Sequence, residues 1–125
     1  MTPGTKRILV VDDQPHMLRL LAFALRRLGA EVIMVESGAE AVAVAGAGPV
    51  DLLLVDVMMP LMDGFETVRA IKAQPAHAHL PVIMLTARGQ AETRALADQV
   101  GVNCFLTKPF SPVQLAEEAA RLLSS

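Results

Sequence analysis

Five short apolar runs, each followed by a polar residue and separated by helix-length segments, narrow what this chain can fold into. The runs are Arg7–Val11, stopping at Asp12-Asp13; Glu31–Val35; Leu52–Val55, ending at Asp56; Pro81–Leu85, ending at Thr86; and Val102–Leu106, leading into Thr107-Lys108-Pro109. Runs of four or five residues without polar alternation read as strands buried on both faces, which requires a parallel sheet covered on each side. The intervening segments carry helix signals. Pro15 suits a first turn, and Gly29 closes that helix after Leu28. An alanine-rich helix is predicted from about Ser37 to Ala45, broken by Gly46–Pro49. Asp63-Gly64 opens a helix reaching about Ala73, a polar helix runs from about Ala91 to Val100, and the last runs from Pro112 to Leu123 with Ser111 as its cap. Five βα units of this kind predict an α/β fold with a doubly wound parallel sheet.

The chain of 125 residues is the length of one domain, 53% of it apolar, with no internal linker or repeat. A single unit over 1–125 is therefore expected, its ordered core spanning about 6–123, with no output domain. No apolar run reaches the roughly 18 residues of a membrane span. The lone Cys104 has no partner for an internal disulfide, and no signal-like stretch follows Lys6-Arg7, so a cytoplasmic location is expected. A net charge of −2, scattered basic residues and the absence of Trp and Tyr argue against nucleic-acid binding by this chain.

In open parallel sheets the ligand site lies beyond the carboxyl ends of the strands. Here those ends deliver Asp12 and Asp13 from the first strand, Asp56 from the third, Thr86 from the fourth and Lys108 from the fifth. Three converging carboxylates repel, so either they hold protons or a cation neutralises them. All-oxygen ligands suit Mg²⁺, whereas His16, His77 and His79 fall in a helix start and a loop and form no zinc set. A metal, the Lys108 ammonium and the Thr86 hydroxyl around a nucleophilic carboxylate are what phosphoryl transfer onto Asp56 requires.

The segments RILVVDDQP, LLLVDVMMPLMDG, PVIMLTA and FLTKPF occur in this order, each at a strand end. On them the chain resembles the receiver domains of bacterial two-component response regulators (CheY-like), over essentially its full length. The resemblance implies a flavodoxin-like sheet of order 2-1-3-4-5. It implies Mg²⁺-dependent phosphorylation of Asp56 by a histidine kinase or histidine phosphotransfer protein, with Mn²⁺ as a possible substitute. Asp13, Asp56 and the Met58 backbone carbonyl would hold the metal, with Asp12 acting mainly through water. Thr86 and Lys108 would contact the phosphoryl oxygens, and Thr86 with Phe105 would form the switch. A cis Lys108-Pro109 peptide is implied as well. Met58 and Arg88 occupy positions that border the path of attacking water. The donor is expected to dock on the first helix and the loops near the site. A downstream protein or dimer partner would use the face of the fourth helix, fifth strand and last helix.

Other readings stand beside these. Asp12-Asp13 alone reads equally as a strand end turning into a helix. Asp63-Gly64 reads as a turn rather than a site; Met58, Met59, Met62 and Met84 read as packing; Cys104 reads as a small core residue. The first helix shows an apolar arc of about 200°, wider than a sheet needs. That surplus, including Leu18 and Leu20, is a candidate dock for a helical donor, with Phe23 among the wet-side residues His16, Arg19, Arg26 and Arg27. The competing functions are a pseudo-receiver that binds partners without chemistry and a hydrolase with an aspartyl-phosphate intermediate. A chain that only accepts and loses a phosphoryl group is not expected to turn over a separate substrate as an enzyme.

Overall fold

The strand-ending residues are brought to one rim by a five-stranded parallel sheet in the order β2-β1-β3-β4-β5. The computed structural model describes residues 5–87, 95 and 98–124. The strands are β1 (Arg7–Val11), β2 (Glu31–Val35), β3 (Leu52–Asp56), β4 (Val82–Thr86) and β5 (Cys104–Thr107). The helices α1 (Pro15–Leu25), α2 (Gly38–Ala47) and α3 (Gly64–Lys72) are joined by a C-terminal helix over Pro112–Ser124. Most of the helix expected over about Ala91 to Val100 lies outside the described residues, of which Asp98–Val100 are helical. Among the described residues, no helix is long and apolar enough to cross a membrane.

Alternation along each strand sends side chains to two cores. On one face Leu9, Val11, Leu53, Val55 and Met84 pack with Ala41 and Ala45 of α2 and Val68 and Ile71 of α3. On the other, Ile8, Val10, Leu52, Leu54 and Leu85 meet Leu21 and Leu25 of α1 and Leu115 and Leu122 of the C-terminal helix. β3 and β4 are buried at every position, as unbroken apolar runs demand, whereas edge strand β2 is partly exposed.

Local chemistry moved several boundaries. α1 stops at Leu25, and Arg26–Leu28 tightens into a 3₁₀ turn before Gly29 adopts φ 68°. α2 continues through Gly46 to Ala47, and the break falls at Gly48-Pro49 instead. A glycine weakens a helix by only about 1 kcal/mol, and the Gln74 side chain binds this helix at the Val42 carbonyl. β5 begins at Cys104 rather than Val102. The Asn103 side-chain oxygen accepts from the Val82 amide at 2.9 Å, taking a ladder position that a strand carbonyl would otherwise fill. Ser37, Asp63 and Ser111 cap their helices, Asp63 in a reciprocal capping box with Glu66.

His77, expected in a loop, is buried in a 3₁₀ turn and organises the entry to β3. The Val50 amide donates to its Nε2 at 3.1 Å, so the ring proton sits on Nδ1 and is donated to Gln74 Oε1 at 3.0 Å. His77→Ala strands that amide and opens a cavity. We expect a loss of about 2 kcal/mol in urea unfolding; an unchanged midpoint would show that the ring does not hold β3.

Candidate functional site

Asp12 is wholly buried at the end of β1, and its Oδ1 accepts from the Gln14 amide at 3.0 Å, which turns the chain into α1. Its other oxygen, Oδ2, takes the Lys108 Nζ at 3.0 Å. The same ammonium lies 3.2 Å from Asp56 Oδ1. Asp13 joins Asp12 and Asp56 with ligand-capable oxygens all within 4.8 Å of one another, and is the most open of the three. The sequence-predicted carboxylates and lysine are thus a single cluster, bridged by one ammonium.

The sheet register sets this geometry. Asp56 pairs with Leu85 and Thr86 with Thr107, so Thr86 stands one step beyond Asp56 on the neighbouring strand, buried at the same rim. The Lys108 amide donates to the Thr86 carbonyl at 2.6 Å, and a cis Lys108-Pro109 peptide follows. The lysine is thereby fastened to β4 through its backbone while its side chain crosses to β1 and β3. Phe105, paired with Met84, is half-buried against the core on the α2–α3 face. Arg88 lies outside the described residues.

Electrostatics at this cluster are unbalanced. Burial pushes the Asp56 carboxyl above its ordinary range; Lys108 opposes the shift, and the charges of Asp12 and Asp13 add to it. Burial alone would lower Lys108, but the hydrogen bond to Asp12 and the charges of Asp56 and Asp12 outweigh it and raise the ammonium's pKa. Among the described residues, one ammonium paired with two members of a three-carboxylate cluster leaves negative charge over. An all-oxygen donor set with surplus negative charge fits a small hard divalent cation and suits neither zinc nor copper.

Two features of the β3–α3 loop were misread or missed in the sequence. Met58 is 72% exposed, so it does not pack, unlike Met59 and Met84, which are buried. It is followed by Leu61, fully exposed with φ 68°, a conformation that costs a leucine about 1–2 kcal/mol. Gly64, read as part of a turn and helix start, lies tight against the backbone of Asp56. A Cβ there would press into the Asp56 carbonyl oxygen and come within 3.0 Å of Val57 Cα. Backbone cannot swing aside as a flexible side chain can. Gly64→Ala is expected to destabilise by about 2 kcal/mol, read by urea unfolding; a wild-type midpoint would show that the loop yields freely. The aspartate-glycine pair was visible, but not that its helix start abuts the carbonyl of Asp56.

The sequence profile described as "Response regulator receiver domain" matches residues 8–120. This chain belongs to that family. The receiver domain is 33% identical to the chemotaxis protein CheY4 of Vibrio cholerae, with a TM-score of 0.90 over 95% of this chain and 99% of that one. It is 34% identical to the receiver domain of the sensor histidine kinase PA1611 of Pseudomonas aeruginosa PAO1, with a TM-score of 0.88 over 98% and 100% of the two chains. That structure is described with a magnesium ion coordinated in the active-site cleft. Among curated proteins, it is 36% identical over 118 residues to the alkaline phosphatase synthesis transcriptional regulatory protein PhoP of Bacillus subtilis, covering 94% of this chain and 48% of that protein. The receiver domain thus spans about half the length of that relative. It is a module of two-component signal transduction, and its sheet order is the CheY-like one.

Proposed function

We propose that Asp56 is the phosphoacceptor of this receiver domain, charged by a histidine kinase or a histidine phosphotransfer protein. The observation that carries the reading is the Lys108 ammonium held at 3.0 Å from Asp12 and 3.2 Å from Asp56 within a three-carboxylate rim. An Asp56 carboxylate oxygen attacks phosphorus and forms an acyl phosphate. The bond from phosphorus to the donor imidazole nitrogen breaks, and a proton from solvent completes the neutral imidazole. Lys108 and the Thr86 hydroxyl then contact the phosphoryl oxygens, where charge accumulates during transfer. Mg²⁺, or Mn²⁺ in its place, would be held by Asp13, Asp56 and the Met58 carbonyl with Asp12 acting through water, and would supply the positive charge the cluster lacks; the magnesium ion in the cleft of the PA1611 receiver supports magnesium as the ion. Asp12 also keeps Lys108 aimed at the acceptor.

Movement of Thr86 toward the phosphoryl group would open space for Phe105 to turn inward. That packing change would reach β5 and the C-terminal helix, which with the fourth helix form the face offered to a downstream protein or dimer partner. Residues 6–123 act as one such unit, which modifies itself and turns over no separate substrate. The exchange is assigned to the cytoplasm, the usual location of receiver domains. Docking on α1 would use Leu20, 53% exposed, and the loops near the site; Leu18 is buried in the core and is withdrawn from that surface.

Incubation with acetyl phosphate and Mg²⁺ should add one phosphoryl group by intact mass. The adduct should be lost on hydroxylamine treatment and absent from Asp56→Ala. No adduct with acetyl phosphate or with any histidine donor would leave a receiver that binds partners without chemistry.

A further inference from the structure

The face between α1 and the C-terminal helix has features that the carboxylate site does not use. A groove of about 280 Å³ runs there, with Phe23, Ala24 and Arg27 on one wall and Pro112, Val113 and Glu117 on the other. Phe23 is 68% exposed and Val113 65%. The core beneath is already filled by Leu21, Leu25, Leu115 and Leu122, so neither side chain packs inward in the monomer. The Arg26 guanidinium stands 5.5 Å from the centroid of the Phe23 ring, holding it at the groove's lip. Arg27 and Glu117 are both exposed, and among the described residues neither forms an ion pair, whereas neighbouring Glu118 is paired with Arg121.

We propose that this groove is a two-fold interface with a second copy of the chain, Phe23 and Val113 meeting at its centre and Arg27 of each copy pairing with Glu117 of the other. A two-fold axis through the groove exchanges its walls, so every group on one wall faces the opposite wall of the second copy. Walls of like charge would repel under that operation. Walls of opposite charge, as here, form the same ion pair twice. A purely acidic or purely basic partner would satisfy one wall and clash with the other. The apolar centre is small, which sets the association among weak, concentration-dependent contacts rather than obligate dimers. The groove shares no residue with the carboxylate cluster, so self-association can be read separately from acceptance of a phosphoryl group from acetyl phosphate.

Sedimentation velocity from about 10 μM to about 1 mM should carry the wild-type chain from monomer toward dimer, within the range of weak interfaces. Arg27→Glu and Glu117→Arg should each weaken self-association roughly tenfold or more, because both symmetric pairs become repulsive. Mixing the two single variants should yield a heterodimer, since each reversed charge then faces its complement, and the double reversal should recover wild-type association. Phe23→Asp should leave a monomer. Both charged sites are exposed, so unchanged thermal midpoints and unchanged acceptance from acetyl phosphate show that each variant is folded. A wild-type monomer throughout, self-association indifferent to the single reversals, or protection of the groove only by an added histidine donor would each overturn the proposal.

Discussion

Lys108→Met should lower the thermal midpoint of the metal-free domain and slow phosphoryl transfer to Asp56 by about 10²–10³, the usual effect of deleting one electrostatic group at a transferring phosphoryl. The side chain of Asp12 is fully buried and that of Asp56 only 8% exposed, and both face the same ammonium. Deleting the cation leaves buried carboxylates uncompensated. The cost should be about 2–3 kcal/mol, below that of a fully enclosed pair because Asp13 opens the rim to water. The fall in midpoint should be of order 10 °C for a domain this size. Methionine keeps the length and apolar stem of lysine, so lost packing contributes little. Saturating Mg²⁺ should restore most of the stability and little of the transfer rate, since a metal neutralises carboxylates without replacing the donor to the phosphoryl oxygen. Calorimetry with and without Mg²⁺, alongside single-turnover phosphorylation, separates the two. Wild-type transfer rates in this variant would remove Lys108 from the chemistry.

The strands and the rim were legible because both rest on local rules. Unbroken apolar runs such as Leu52–Val55 and Pro81–Leu85 have no comfortable place except a sheet covered on both faces, and the residue after such a run must emerge at the strand's end. That logic put Asp12, Asp13, Asp56, Thr86 and Lys108 at one edge, where the structure places them. Contacts between residues distant in sequence were not legible. Nothing near His77 reveals that its Nε2 receives the Val50 amide, and nothing near Gly64 reveals the Asp56 carbonyl pressed against it. Exposure was misjudged for the same reason. Met58 looks like Met59, yet one is exposed and the other buried, because the loop's path rather than hydrophobicity decides which side faces water. Leu18 and Leu20 likewise look equivalent until the helix's rotation against the sheet is known.

Asp56→Asn should abolish the phosphoryl adduct while raising the stability of the metal-free domain, an opposition that follows from the burial of this carboxyl. Burial, assisted by the charges of Asp12 and Asp13 and opposed by Lys108, raises its pKa in the folded state. The folded protein therefore holds the Asp56 proton more tightly than the unfolded chain does. Between the ordinary aspartate value of about 3.9 and the raised folded value, the native state binds more protons, so stability contributed by protonated Asp56 is lost as pH rises through that window. Above that window the ionised carboxylate is a standing cost, which the neutral amide of asparagine removes along with the nucleophile. Mg²⁺ acts on the same deficit. Bound only to the folded state at about 100 times its Kd, it should stabilise the wild-type domain by about 2.7 kcal/mol, and Asp56→Asn or Asp13→Asn should gain much less. The measurement is urea unfolding between about pH 4 and pH 8 with EDTA and with Mg²⁺, compared against the ordinary aspartate range. A metal-free wild-type domain whose stability rises through the lower part of that range in step with Asp56→Asn would mean that Asp56 is not a strained acid. An equal magnesium response in all three proteins would place the cation elsewhere.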